Sequence, residues 1–87
     1  MRIGTIVTLE ISCLGNRKGT RGIVFNDYPQ IIFENGKYDG FSKSDLEQFV
    51  SEIGYNSNMS HYVFTNVMQL SRDFENGLFD FKTNEEL

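Results

Sequence analysis

Residues 30–41, Gln-Ile-Ile-Phe-Glu-Asn-Gly-Lys-Tyr-Asp-Gly-Phe, carry the strongest structural signal in the chain. Asn35-Gly36 stands between two segments rich in β-branched and aromatic residues, and this dipeptide tolerates the positive φ angles of a two-residue hairpin turn. The sequence therefore predicts antiparallel strands at 30–34 and 37–41. Alternation of side chains places Tyr38 on one face of the second strand and Phe41 on the other.

Two more strands are predicted on the amino-terminal side of this hairpin. Residues 3–11 and 22–26 show the two-residue period of strands. In the first segment four aliphatic side chains share one face: Ile3, Val7, Leu9 and Ile11. In the second, Ile23 and Phe25 share one face and Val24 lies on the other. Residues 15–22, Gly-Asn-Arg-Lys-Gly-Thr-Arg-Gly, are a loop by composition, and residues 26–29, Asn-Asp-Tyr-Pro, are a turn.

The hydrophobic period changes after residue 41. Ser44 and Glu47 have the spacing of a capping box. Four apolar residues then follow at i, i+3, i+4 and i+7, namely Leu46, Phe49, Val50 and Ile53. Gly54 is suited to the position just after a helix. We therefore predict a helix over residues 44–53.

Residues 60–81 allow two interpretations. Met59, Val63, Val67, Leu70 and Phe74 lie on one helical stripe, which would make 60–77 a single helix. Alternatively, residues 61–65 form a strand that closes a barrel, and Asn66 caps a shorter helix that Gly77 ends. The second interpretation is favoured because Tyr-Val-Phe-Thr has high β propensity. Residues 83–87 are expected to be frayed.

Residues 4–46 resemble the SH3-like small β-barrels, including bacterial and phage-encoded ones. The resemblance rests on the order of a strand, a loop ending Gly19-Thr20-Arg21-Gly22, a strand Ile23-Val24-Phe25, a strand Ile31-Ile32-Phe33 and the Asn35-Gly36 hairpin. It implies a mainly β fold with one or two short helices in the carboxyl-terminal half. The 87 residues would form one domain, with a barrel core at 3–41, the helix at 44–53 and a strand-and-helix extension at 60–81. It also implies a scaffold that binds proteins, peptides or nucleic acid through its loops.

Charge and cysteine content narrow the function classes. The formal net charge is −4; residues 1–43 carry six basic and four acidic side chains, and residues 44–87 carry two basic and eight acidic ones. An acidic total disfavours non-specific nucleic-acid binding, which depends on clustered positive charge. No apolar run exceeds three residues, so no membrane span is expected. A single cysteine cannot form an internal disulfide, and we expect a cytoplasmic location.

No catalytic motif is present in the sequence. Cys13 and His61 are the only thiol and the only imidazole, and nothing local pairs them. Asp73, Glu75 and Asp80 do not match the spacing of a calcium loop. We expect a protein that is not an enzyme and that has no metal or cofactor.

The candidate binding residues are three cations on the first loop and two tyrosines near the hairpin: Arg17, Lys18, Arg21, Tyr28 and Tyr38. They suggest an interaction module that binds another protein through the barrel loops or the carboxyl-terminal helix. The alternative is a nucleic-acid-linked role. In that case the basic loop would contact RNA or DNA weakly, or the acidic half would occupy the nucleic-acid site of an enzyme.

Overall fold

Five β-strands, two α-helices and two 3₁₀ turns make up the fold in a computed structural model that describes residues 1–87. In chain order they are β1 (Thr5–Leu9), β2 (Arg21–Asn26), β3 (Gln30–Phe33), β4 (Tyr38–Gly40), α1 (Lys43–Phe49), β5 (Val50–Tyr55), a 3₁₀ turn (Ser57–Met59), α2 (Val67–Glu75) and a second 3₁₀ turn (Asn84–Glu86). The predicted class, mainly β with two short helices in the carboxyl-terminal half, is confirmed.

The strands form one antiparallel sheet in the order β4-β3-β2-β1-β5. Central β1 pairs with β2 on one side, with Ile6 opposite Ile23, and with β5 on the other. The edge strands β4 and β5 do not pair with each other, so the sheet is open. Its order and size are compatible with a small barrel-like fold.

Apolar side chains cover both faces of the sheet. We call the two layers the α1-side core and the α2-side core. The α1-side core contains Val7, Leu9, Val24, Ile31, Phe33, Phe41 and Val50. The α2-side core contains Ile6, Ile23, Phe25, Ile32, Met59, Leu70 and Phe79. Because both faces are buried, successive residues of a central strand are apolar, as in parallel sheets covered on both sides.

The predicted faces of β2 are confirmed, and those of β1 are partly wrong. Ile23 and Phe25 lie in the α2-side core and Val24 in the α1-side core. In β1, however, Ile6 is as fully buried as its neighbour Val7. Ile11, predicted to share a strand face with Val7 and Leu9, is 43% exposed, because the strand ends at Leu9.

The β3–β4 hairpin is confirmed, but its turn differs from the predicted two-residue type. The Gly36 N–H donates to the Phe33 carbonyl (2.8 Å), and Gly36 is the only turn residue with positive φ, at 85°. The Phe33 N–H in turn donates to the Lys37 carbonyl (2.9 Å). The connection is therefore a three-residue loop with glycine at its left-handed position, which needs no positive φ at Asn35.

The predicted helix over 44–53 is wrong from Val50 onward. Helix α1 ends at Phe49, and residues 50–55 form β5, in which Val50 pairs with Leu9 of β1. Val50 and Ile53 fit a helical stripe. A helix that continued through them, however, would leave the backbone N–H and C=O groups on one side of β1 without hydrogen-bond partners, and pairing with β5 supplies those partners. The helix also begins earlier than predicted, since the hydroxyl of Ser42 accepts the N–H of Asp45 (3.2 Å).

The predicted strand over 61–65 is also wrong. Residues 61–65 are irregular, because β5 already occupies the place beside β1. Helix α2 matches the second interpretation: the Asn66 Oδ1 accepts the N–H of Gln69 (2.9 Å), and Gly77 follows the helix with φ of 75°. A single helix over 60–77 is excluded.

Residues 78–87, which we call the tail, are anchored rather than frayed. Phe79 is buried in the α2-side core. The buried Asn56 amide donates to the carbonyls of Asp80 (3.2 Å) and Lys82 (2.9 Å). The backbone N–H of Ser57 donates to the Asn84 side chain (2.9 Å). Neither α-helix is long and apolar enough to cross a bilayer.

Candidate functional site

The three cations predicted on the first loop do not act together. Arg17 and Lys18 are exposed on the β1–β2 loop. Arg21 begins β2, and its guanidinium contacts the tail: Nη2 donates to Glu86 Oε2 (2.9 Å) and Nη1 donates to the Phe81 carbonyl (3.1 Å). This is the only salt bridge of the structure.

The Arg21–Glu86 pair shifts the titration of both groups. Hydrogen bonding from Arg21 lowers the pKa of Glu86 from 4.5 to about 2, with a further contribution from the Thr83 backbone. Hydrogen bonding to Glu86 raises the pKa of Arg21. Arg21 therefore holds the tail in place, and only Arg17 and Lys18 of the predicted trio are free to meet a partner.

The two predicted tyrosines differ in exposure. Tyr28 is 81% exposed in the β2–β3 turn. The Asn26 carboxamide fixes that turn, since its Oδ1 accepts the backbone N–H of Gln30 (2.8 Å). Tyr38 is half-buried, with its ring edge-on to Phe25 at 6.1 Å between centroids. Of the two, Tyr28 is the one that presents its ring to solvent.

The thiol and the imidazole lie on different sides of the sheet. Half-buried Cys13 packs against the α1-side core. His61 is exposed in the segment that covers the α2-side core, next to Tyr62. The fold thus keeps the two groups apart. No group of three or more His, Cys, Asp or Glu side chains is placed to hold a metal ion.

The carboxylates of the second half have different environments. Asp80 accepts the backbone N–H of Lys82 (3.0 Å) within the tail. Asp73 accepts a hydrogen bond from Tyr62 (2.8 Å). Glu75 is exposed on α2. Two of the three carboxylates therefore accept hydrogen bonds from within the chain.

A groove that the sequence did not predict runs between residues 58–63 and helix α2. Its volume is about 410 Å³. The lining residues are Asn58, Met59, His61, Tyr62, Val63, Gln69, Asp73 and Leu78. Two apolar side chains at this groove are well exposed, Val63 at 67% and Leu78 at 50%. We call this feature the α2 groove.

A hydrogen-bond network holds the walls of the α2 groove together. Asp73 Oδ2 accepts from the Tyr62 hydroxyl (2.8 Å) and from Gln69 Nε2 (2.9 Å). Gln69 Oε1 accepts the backbone N–H of Thr65 (3.0 Å). Burial, together with the bond to Asp73, raises the pKa of Tyr62, so the phenol stays a donor. The helical spacing of Gln69 and Asp73, i and i+4, is the only local sequence signal for this network.

More apolar surface lies on the outer side of α2. Met68 is 73% exposed and Val67 47% exposed, although both are in the first turn of the helix. They line a second, shallower groove of about 360 Å³ together with Ser71, Arg72 and Glu75. The core-facing side of the helix is defined instead by Leu70, which is fully buried.

Comparisons with protein-family models, with curated proteins and with solved structures gave no match. Function is therefore inferred from the surface of this chain alone.

Proposed function

We propose that the protein is a non-catalytic interaction module that binds another protein through the surface around helix α2. One observation carries the proposal: four large apolar side chains within 16 residues are about half exposed or more. They are Val63 (67%), Val67 (47%), Met68 (73%) and Leu78 (50%), and we call them the α2 surface. Val63 and Leu78 line the α2 groove, and Val67 and Met68 line the second groove on the same helix. Exposed apolar side chains that occur in such clusters, rather than scattered singly, are typical of interaction sites.

The sheet is compatible with the small-barrel scaffold that the sequence resemblance implies. Five short antiparallel strands form the scaffold. Short turns join β2 to β3 and β3 to β4, a longer loop joins β1 to β2, and α1 lies between β4 and β5. Such a scaffold leaves its loops and outer helices available for binding, but the fold alone does not specify a ligand. Tyr28, at 81% exposure, is the loop residue best placed to add a contact.

The positions of the reactive side chains support the non-catalytic part. Cys13 packs with the α1-side core, whereas His61 is exposed in the segment that covers the α2-side core, so no thiol–imidazole pair is assembled. Cys13 is half-buried and carries no disulfide. An unpaired cysteine of this kind is consistent with the reducing cytoplasm, where we place the protein.

The nucleic-acid-linked role is the second candidate. Its basis is the exposure of Arg17 and Lys18 on one loop. Two features oppose it: Arg21 is bound to Glu86, and the net charge is −4. An acidic inhibitor is opposed by the internal hydrogen bonds of Asp73 and Asp80.

The test is an affinity capture of the tagged protein from its host's lysate, with and without nuclease, read by mass spectrometry. We expect a stoichiometric protein that persists after nuclease and that is lost with the Val67→Ser/Met68→Ser double variant. Ile53→Thr is the matched control, because Ile53 is also exposed (39%) but lies on β5. Capture that disappears with nuclease, or with Arg17→Glu and Lys18→Glu, would refute the proposal and support the nucleic-acid role.

A further inference from the structure

We infer that the α2 groove binds a peptide segment of a partner protein in which a lysine or arginine stands beside an apolar side chain. This inference rests on the proposed function, since it names the chemistry of the partner at one part of the surface around α2. It is carried by the charge of the groove, by its apolar rim and by the network that holds its walls.

The negative charge of the α2 groove favours a partner with a cationic side chain. Asp73 is the only carboxylate among the eight lining residues, and no lysine or arginine lines the groove. Its Oδ2 already accepts two hydrogen bonds, from Tyr62 and Gln69, whereas its Oδ1 accepts none within the chain. A lysine or arginine of the partner can donate to Oδ1 in a charge-assisted hydrogen bond. The excess of six acidic side chains in residues 44–87 favours the approach of such a segment.

The apolar rim of the α2 groove favours a partner with an apolar side chain next to the cationic one. Val63 and Leu78 are 67% and 50% exposed, and Met59 contributes a thioether side chain to the lining. Methionine adapts its shape to different apolar groups. The volume of about 410 Å³ lies near the lower end of the range of about 300–1,000 Å³ for ligand pockets, which suits one or two side chains and not a large cofactor.

The walls of the groove are formed before any partner arrives. Tyr62 on one wall is bonded to Asp73 on the other, and Gln69 connects the helix to the backbone of Thr65 and Val63. A site whose side chains are already held loses less conformational entropy on binding. Two donors therefore fix the position of the Asp73 carboxylate. Both bond to Oδ2, so Oδ1 remains available to a partner.

The experiment uses a phage-displayed library of random dodecapeptides selected on the full-length protein. The enriched peptides are then synthesised, and their dissociation constants are measured by fluorescence anisotropy. We expect lysine or arginine adjacent to an apolar residue in the enriched sequences. Asp73→Asn should weaken binding about tenfold or more, which corresponds to loss of about 1.4 kcal/mol. Val63→Thr, which keeps the shape of the side chain, should weaken it several-fold.

Two controls separate the groove from its surroundings. Glu47→Gln removes one exposed negative charge from α1, which packs on the other face of the sheet, and Ile53→Thr changes an exposed aliphatic residue on β5. Both should bind like the wild type. A thermal melt of each variant verifies folding, and the exposed position of Val63 keeps that variant informative if Asp73→Asn is unstable.

Three outcomes would overturn the inference: no enriched peptide, enriched peptides without a cation, or equal affinities of the Asp73→Asn and Glu47→Gln variants. Each is distinguishable from failure of the proposed function. If the lysate partner is still captured, and still lost with Val67→Ser/Met68→Ser, the interaction module stands and only the groove assignment fails.

Discussion

At the residue scale, a close contact with Thr83 explains why position 54 is a glycine. The sequence suggested a glycine that ends a helix, but Gly54 lies in β5 with the tail against it. A Cβ at this position would lie 2.5 Å from Thr83 Cγ2 and 2.9 Å from Thr83 Cβ. Because Thr83 is itself buried, we expect Gly54→Ala to destabilise the fold by about 1–3 kcal/mol, the usual cost of overpacking. Urea unfolding followed by circular dichroism measures the change.

The Thr83→Ser variant provides the control for this contact. It removes the methyl group that the new Cβ would strike and leaves the hydroxyl. The Gly54→Ala/Thr83→Ser double variant should therefore lose less stability than the sum of the two single changes. Strict additivity would show that the close approach does not determine the choice of glycine.

The Arg21–Glu86 ion pair makes the free energy of unfolding depend on pH. The pKa of Glu86 is lowered in the fold, from 4.5 to about 2, so the pair stabilises the folded state above about pH 4.5. That contribution is lost as the pH falls through about 2. We expect Glu86→Gln to lower the urea midpoint at pH 7, and the difference from the wild type to shrink progressively between pH 4.5 and pH 2.

Glu85→Gln is the matched control, because Glu85 is the neighbouring acid and has no ion-pair partner. Since the carboxylate of Glu86 is exposed to solvent, the effect at pH 7 should be small and should decrease in high salt. If Glu86→Gln and Glu85→Gln had the same midpoint at every pH, the tail would not be held by this pair.

At the element scale, the stability of α2 depends on its N-cap residue, Asn66. Asn66 Oδ1 accepts the Gln69 N–H, one of the groups that a helix leaves open at its start. Asn66→Ala should therefore destabilise the protein by about 1 kcal/mol, whereas Asn66→Ser should retain most of the stability, since serine also caps. Equilibrium urea unfolding of the two variants checks this, and equal losses would contradict the capping role.

The contrast between α2 and β5 explains which elements could be predicted. The cap at Asn66 and the stop at Gly77 are local, and both were visible in the sequence. Strand β5 was missed because Val50 and Ile53 continue the helical stripe of Leu46 and Phe49, and its partner β1 lies more than 40 residues away. The length of α1 was therefore set by a distant strand and not by its own residues.

At the scale of the whole molecule, the candidate site combines segments that the sequence keeps apart. The α2 groove takes residues from 58–63, from α2 and from Leu78. Arg21 was predicted to face a partner, but its own partner is Glu86, 65 residues later. The exposure of Tyr28 was predictable from its turn, because turn chemistry is local. The groove was not, because it exists only after the chain has folded back over the sheet.

The tail is what joins these distant parts, and its removal is the last prediction. Truncation after Gly77 would remove Phe79 from the α2-side core, at a cost of about 1.5–3 kcal/mol, and would leave the buried Asn56 amide without its two carbonyl acceptors, at about 1–3 kcal/mol. Small domains are stable by only about 5–15 kcal/mol in total, so we expect a large drop in the urea midpoint and partial unfolding at 37 °C.

Removal of Leu87 alone is the control for this truncation, since that residue is 57% exposed and the contacts of Phe79 and Asn56 do not involve it. It should unfold at nearly the wild-type urea concentration. Hydrogen exchange adds a spatial measurement: truncation after Gly77 should raise exchange in the strands beneath the α2-side core before it affects α1, which packs on the other face. Equal protection with and without the tail would mean that the sheet and α2 hold together on their own, and that the tail only covers them.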